Sequence, residues 1–234
     1  GVYTIAETQM LDGDLSAIKL EGTGGKKCSL KYEDGKINLV IEGVREAAWV
    51  KWTGSESAVW DYAAAMNFLN GDDASYFVAN DKVYFTDDAE QLYIQLAGDL
   101  PGDTIFVNNS TAKAYTFAGD GAITGEATLV KEGAGRLTIS TDNTYTGGNR
   151  ISGGTVSVSS LSNANQAYGN LGGVTTSPSK FIIENGGILQ TTAAVQMGSP
   201  IQLSSAEGGV INNSADFAMN SAFTGTLLTK RGGG

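Results

Sequence analysis

The stretch Leu129-Val130-Lys131-Glu132-Gly133-Ala134-Gly135-Arg136-Leu137-Thr138-Ile139 packs two short strand-like runs around glycines. It continues through Asn143-Thr144-Tyr145-Thr146-Gly147 to Ile151-Ser152-Gly153-Gly154-Thr155-Val156-Ser157-Val158. Aliphatic and small polar residues alternate, as in a strand with one buried face. Gly or Asn marks each turn. Similar runs follow at Phe181-Ile182-Ile183-Glu184, Ile188-Leu189-Gln190, Ile201-Gln202-Leu203 and Gly209-Val210-Ile211. A sandwich could carry such a pattern, but a parallel β-helix does so more naturally. Its coils stack about 4.8 Å apart, so each inward position must be small or aliphatic.

Working back from Gly119, the strand-like runs persist while the texture becomes aromatic. Lys82–Phe85, Leu92–Leu96, Thr104–Val107 and Ala114–Phe117 are short and bounded by Asp, Gly or Asn. Nearer the start, Ser29–Tyr32 and Lys36–Glu42 flank Glu33-Asp34-Gly35 and predict a hairpin. The segment 56–69 is rich in alanine and divides evenly between a short helix and an irregular cap.

Composition narrows the chemistry. The chain has 234 residues with 15 Lys plus Arg against 25 Asp plus Glu, a net charge of −10. Such an acidic chain is a poor partner for nucleic acid or an anionic membrane face. It contains no histidine and one cysteine, Cys28. That excludes His-based nucleophile systems, His-ligated metal and an internal disulfide. Cys28 reads as a small buried hydrophobe beside Leu30. Glycine, at 32 residues, is about twice its usual share, and proline is only 3. No apolar run is long enough to span a bilayer as a helix. Both ends read as cuts within a longer protein.

The quoted stretch resembles the autotransporter-associated β-strand (passenger-associated) repeat. That family's pattern is Leu-x-Lys-x-Gly-x-Gly-x-Leu-x-Leu, then Asn-x-Tyr-x-Gly, then Ile-x-x-Gly-Thr-Leu. It is carried here by Leu129, Lys131, Gly133, Gly135, Leu137, Asn143, Tyr145, Gly147, Ile151, Gly153 and Thr155. Ile139 and Val156 stand where the pattern has Leu. Asn185-Gly186-Gly187-Ile188-Leu189-Gln190 is similar to the family's next coil, and Leu228-Thr229-Lys230-Arg231-Gly232-Gly233-Gly234 to the opening of another copy, 99 residues on. The segment around Trp52-Thr53-Gly54, Trp60-Asp61 and Asp81-Lys82-Val83 is more loosely similar to what precedes such repeats. The resemblance implies a right-handed parallel β-helix, and export to the cell surface or exterior of a Gram-negative bacterium. It implies no reaction and no cofactor. The expected division is 1–45, the hairpin end of a preceding unit; 46–118, an aromatic-rich capping segment; and 119–234, the β-helical repeat region.

Candidate sites were weighed against plain structural roles. The glycines of the motif, including Gly154, are expected where the coil turns with φ > 0. Asn143 would turn or ladder, and Tyr145 would pack over the adjacent coil. The acidic pairs Asp12/Asp14, Asp72/Asp73, Asp87/Asp88 and Asp99/Asp103 fit solvated turns better than glycosidase pairs. Asp72, Asp73, Asp81, Asp87 and Asp88 offer oxygen for calcium but lack a recognised spacing. Gly22-Thr23-Gly24-Gly25-Lys26-Lys27 lacks the phosphate-loop spacing. Trp52, Trp60 and Tyr62 are the candidate glycan contacts. The competing and favoured reading buries such rings as the core of a cap. The function expected is a non-catalytic adhesive or structural passenger, meeting host or matrix glycans or proteins. Its rivals are a carbohydrate-binding or polysaccharide-processing module, and a segment that assists export.

Overall fold

The computed structural model describes residues 1–20, 27–225 and 227–233. The Gly22–Lys26 stretch weighed as a phosphate loop, and Gly234 closing the second motif copy, lie outside the described residues. Contacts divide the chain into two units, Gly1–Glu46 and Ala47–Gly234.

The first unit is an antiparallel sheet of Val2–Glu7, Lys27–Glu33 and Lys36–Gly43, with the last strand central. The expected hairpin is present. Asp34 and Gly35 both take positive φ, 51° and 74°, which suits a tight turn between right-twisted strands. Every residue of Val2–Glu7 is exposed. Cys28 is half-buried rather than buried.

The second unit is a parallel β-solenoid of about seven turns. One face runs from Trp49–Trp52 through Lys82–Phe85, Thr104–Asn108, Thr128–Glu132, Gly148–Ile151, Phe181–Ile183 and Ile201–Leu203 to Phe223–Gly225. The other runs from Val59–Trp60 through Tyr93–Leu96, Tyr115–Gly119, Arg136–Ile139, Thr155–Val158, Gly187–Thr191 and Gly209–Asn213 to Leu228–Gly232. Short parallel pairs, Asp99–Pro101 with Ala122–Thr124 and Val195–Met197 with Phe217–Met219, lie on neither face. Successive turns advance the chain evenly. Val83 pairs with Ile105 and Ile105 with Leu129, steps of 22 and 24 residues. Longer steps interrupt this: Val50 pairs with Val83, 33 residues on, and Asn149 with Phe181, 32 residues on.

Because strand side chains alternate, every second residue enters the stack. On the first face, Phe85, Val107, Lys131, Ile151, Ile183 and Leu203 follow one another in register. On the second, Tyr115, Leu137, Val156, Leu189 and Ile211 do so. All but Lys131 are apolar, and each apolar member contributes roughly 1.5–3 kcal/mol by burial. At the Trp49–Trp52 end the parallel order stops. Phe68–Asn70 and Asp73–Ser75 add antiparallel strands there.

No helix forms over 56–69. Trp60 instead pairs with Leu96 in the second face. Ala63 is left-handed, with φ 54°. The amides of Ala65 and Met66 bond the carboxylates of Asp61 and Glu56 rather than an i−4 carbonyl. Side-chain acceptors have displaced the helical ladder.

Candidate functional site

Lys131 is the exception in its ladder. It is fully buried, with Val107 on one side and Ile151 on the other. A buried ammonium survives only if its donors are satisfied. Lys131 Nζ donates to the carbonyls of Glu132 and Gly133, the latter at 3.0 Å. These carbonyls end its own strand and open the corner that follows. Burial pulls the ammonium down to about 8, opposed by the Glu132 carboxylate. The corner has room for nothing more. Gly133 has φ 70°, and a Cβ there would lie 2.5 Å from the Asn109 carbonyl oxygen. A Cβ on Gly154 would meet the Gly133 carbonyl oxygen at 2.5 Å and Lys131 Nζ at 2.9 Å. Gly135 and Gly147 depart from expectation. Neither has positive φ; each is glycine because a carbonyl of the adjacent turn would stand 2.3 Å from its Cβ.

The Asn-x-Tyr-x-Gly part forms a buried polar seam. Asn143 Oδ1 accepts from the Ile123 amide at 2.8 Å, and its Nδ2 donates to the carbonyls of Thr141 and Asn170. Asn170 Oδ1 in turn accepts from the Ser159 and Ser160 amides. Tyr145 is buried and donates to Asn149 Oδ1 at 2.7 Å, while Asn149 donates to the Leu171 carbonyl. Burial raises the Tyr145 phenol far above its ordinary value, so it stays protonated. These side chains satisfy backbone groups of their own and both neighbouring turns, which Leu or Val there would leave orphaned.

The aromatic candidates separate by strand parity. Trp52 and Trp60 are fully buried. Trp52 stands edge-on to Phe68 at 5.1 Å and donates Nε1 to the Gln91 carbonyl. Trp60 packs on Phe77 and Phe85. Neither presents a face to a sugar: for these two rings the favoured reading, burial in a core, is what the structure shows, and the candidate glycan role fails. Tyr62 is exposed, bridged through its backbone to Phe77. The outward rings lie elsewhere. Trp49, 44% exposed, stacks on Tyr84 at 4.3 Å and 22°. Tyr84 meets Phe106 edge-on at 5.3 Å. Lys82 Nζ lies 5.4 Å from the centre of the Trp49 ring. Beside Trp49 is a shallow hollow of about 360 Å³, lined by Ala47, Ala48, Asn80, Lys82 and Asp103. Alternation along Trp49-Val50-Lys51-Trp52 was the signal that could have found this row, since it sets the two tryptophans on opposite sides.

Several of the carboxylates serve the backbone. Asp81 is buried and accepts from the Ala48 and Val78 amides, each at 2.8 Å. Asp87 accepts from the Ser110 amide, which holds its carboxyl below the usual range. Asp14 caps Ser16. Among the described residues, no three acidic or Cys side chains converge as a metal cage.

Residues 129–158 match the family model of the passenger-associated-transport-repeat. Over this stretch the chain is similar to a passenger-associated-transport-repeat. The span begins at the Lys131 strand and ends with Val158 in the opposite face. A 153-residue stretch, 64% of the chain, is 33% identical to the adhesin BmaC autotransporter of Brucella suis biovar 1 (strain 1330). The chain spans about 4% of that relative's length. No solved structure matches. The second motif copy repeats one contact of the passenger-associated-transport-repeat: Lys230 Nζ donates to the Gly232 carbonyl at 3.1 Å. It does so from the other face and from an exposed position.

Proposed function

We propose that the chain is a non-catalytic segment of an autotransported passenger at the outer surface of a Gram-negative bacterium, acting as a stiff adhesive stalk. The observation that carries this reading is a passenger-associated-transport-repeat set within one continuous parallel ladder. Its partners would be host or matrix glycans or proteins, met in many weak contacts along the outward rows. The name of the Brucella relative, an adhesin, supports the same role. In this reading 1–45 ends a preceding unit, 46–118 caps the stack and 119–234 is the repeat region. The antiparallel strands beyond Trp49–Trp52 support the capping role, because they give the open edge a partner. Among the described residues no helix is long and apolar enough to cross a membrane.

Antibodies raised against the segment should label intact cells expressing the parent protein, and the same antibodies should block attachment to matrix-coated surfaces. Labelling that requires permeabilised cells overturns the reading. Deleting residues 125–158 separates adhesion from export: loss of attachment with normal display supports the adhesive stalk, and loss of display itself assigns the repeat to export.

A further inference from the structure

The outward aromatic row has a chemistry of its own. Trp49, Tyr84 and Phe106 come from three successive turns of one face: Tyr84 and Phe106 are in register, about one strand separation apart, while Trp49, in register with Lys82, reaches Tyr84 on the diagonal. Rings left outward on a parallel sheet contribute nothing to its core. The Trp49 ring borders a hollow whose walls supply an amide at Asn80, an ammonium at Lys82 and a carboxylate at Asp103. Asn80 is exposed and held left-handed, with φ 64°, between two strands of the ladder. One face of the Trp49 ring lies against Tyr84; the part left to solvent, bordered by mixed donors and acceptors, suits a pyranose, whose axial C–H face is apolar and whose rim is hydroxyl.

Charge selects among glycans. The two ammoniums beside the rings are each matched: Lys51 with Asp88 at 3.3 Å, and Lys82 with Asp103 at 4.0 Å. The row therefore presents no basic patch, and the chain as a whole carries −10. An anionic polymer would be repelled, whereas an uncharged one meets no such barrier. Matched pairs are also good partners for hydroxyls, each offering both a donor and an acceptor.

We propose that the Trp49–Tyr84–Phe106 row, with the hollow beside Trp49, binds a neutral glycan chain lying across successive turns. This deepens the adhesive reading and rests on it for where the glycan is met. The test is calorimetric and fluorescence titration of the full chain with neutral cello-, manno- and chito-oligosaccharides, and with oligogalacturonate as the charged comparison. Trp52 and Trp60 are sealed in the core, so a change in emission reports Trp49. The expected result is saturable, salt-insensitive binding of at least one neutral series. Trp49→Ala and Tyr84→Ala should each weaken it about tenfold or more, with the fold intact by circular dichroism. Trp49→Phe, which keeps a ring, should retain most of it. Failure of all neutral series overturns the proposal. So does binding indifferent to Trp49→Ala, or binding of oligogalacturonate alone. Failure here with antibody-sensitive attachment intact would remove this site and leave the adhesive role standing. Binding by a chain that intact cells do not display would do the reverse.

Discussion

Lys131 occupies a rung that Val107 and Ile151 fill with methyl groups on either side. The ammonium ties the strand to the corner that follows it, through the Glu132 and Gly133 carbonyls. Its titration gives a signed prediction. The folded value, about 8, lies below the unfolded 10.5. Between these values the unfolded chain still holds the proton that the folded chain has shed. Unfolding free energy therefore rises with pH across that window, by roughly 1–3 kcal/mol. Denaturation of the wild type and Lys131→Met at pH 7 to 10.5 should show a rise in the former that is absent from the latter; parallel curves would refute the burial argument. Gly133 adds a second test. Gly133→Ala needs a left-handed alanine and a Cβ 2.5 Å from a backbone oxygen. It should cost about 2–4 kcal/mol by urea denaturation. Gly186→Ala is the control: it shares positive φ, but nothing lies within 4 Å of its Cβ. It should cost only about 1 kcal/mol.

At the scale of the element, Leu137 stands in register between Tyr115 and Val156 and is wholly buried. Leu137→Asp places an unpaired carboxylate inside the stack and should abolish cooperative melting, while Thr138→Asp, on the outward side of the same strand, should leave the melting temperature within a few degrees. Equal effects would mean that the inward and outward sides had been misassigned. The same alternation explains how much was legible beforehand. Arg136–Ile139 and Thr155–Val158 were readable because glycine precedes each and polar residues occupy every second place. The corner role of Lys131 was hidden: a charged residue in an alternating strand reads as outward, and only the register shows it inward. In the aromatic segment the same parity decides between the core and glycan readings. Trp52 and Trp60 resemble a platform in a list of residues, yet the pleat turns both inward and leaves Trp49 outside. The alanines of 56–69 favoured helix by propensity, but pairing of Trp60 with Leu96 and the Asp61 and Glu56 side-chain acceptors outweigh that preference.

Across the whole solenoid, each turn touches only its neighbours, so stability sums along the axis and the ends open first. Native-state hydrogen exchange should find the slowest amides in Thr104–Asn108 through Gly187–Thr191, with faster exchange in Phe223–Gly225 and Leu228–Gly232. Uniform protection would point to a single all-or-none unit instead. The longer step between Asn149 and Phe181 has a further consequence. The turn leaves the ladder at Val158, passes through the small antiparallel pair Tyr168–Gly169 and Gly172–Gly173, and rejoins it at Phe181. The rungs on either side still meet in register, Thr155 with Ile188 and Ile151 with Ile183. The ladder thus takes no account of how much chain departs between two rungs. The base of this excursion is tied to the spine through Asn170 and Leu171, but its exposed tip can lengthen, shorten or be exchanged over evolutionary time without disturbing the ladder. A scaffold built this way can change what it shows to solvent while its spine stays the same, and the exposed tip of the excursion, 164–168, is the natural place to graft a foreign epitope for display.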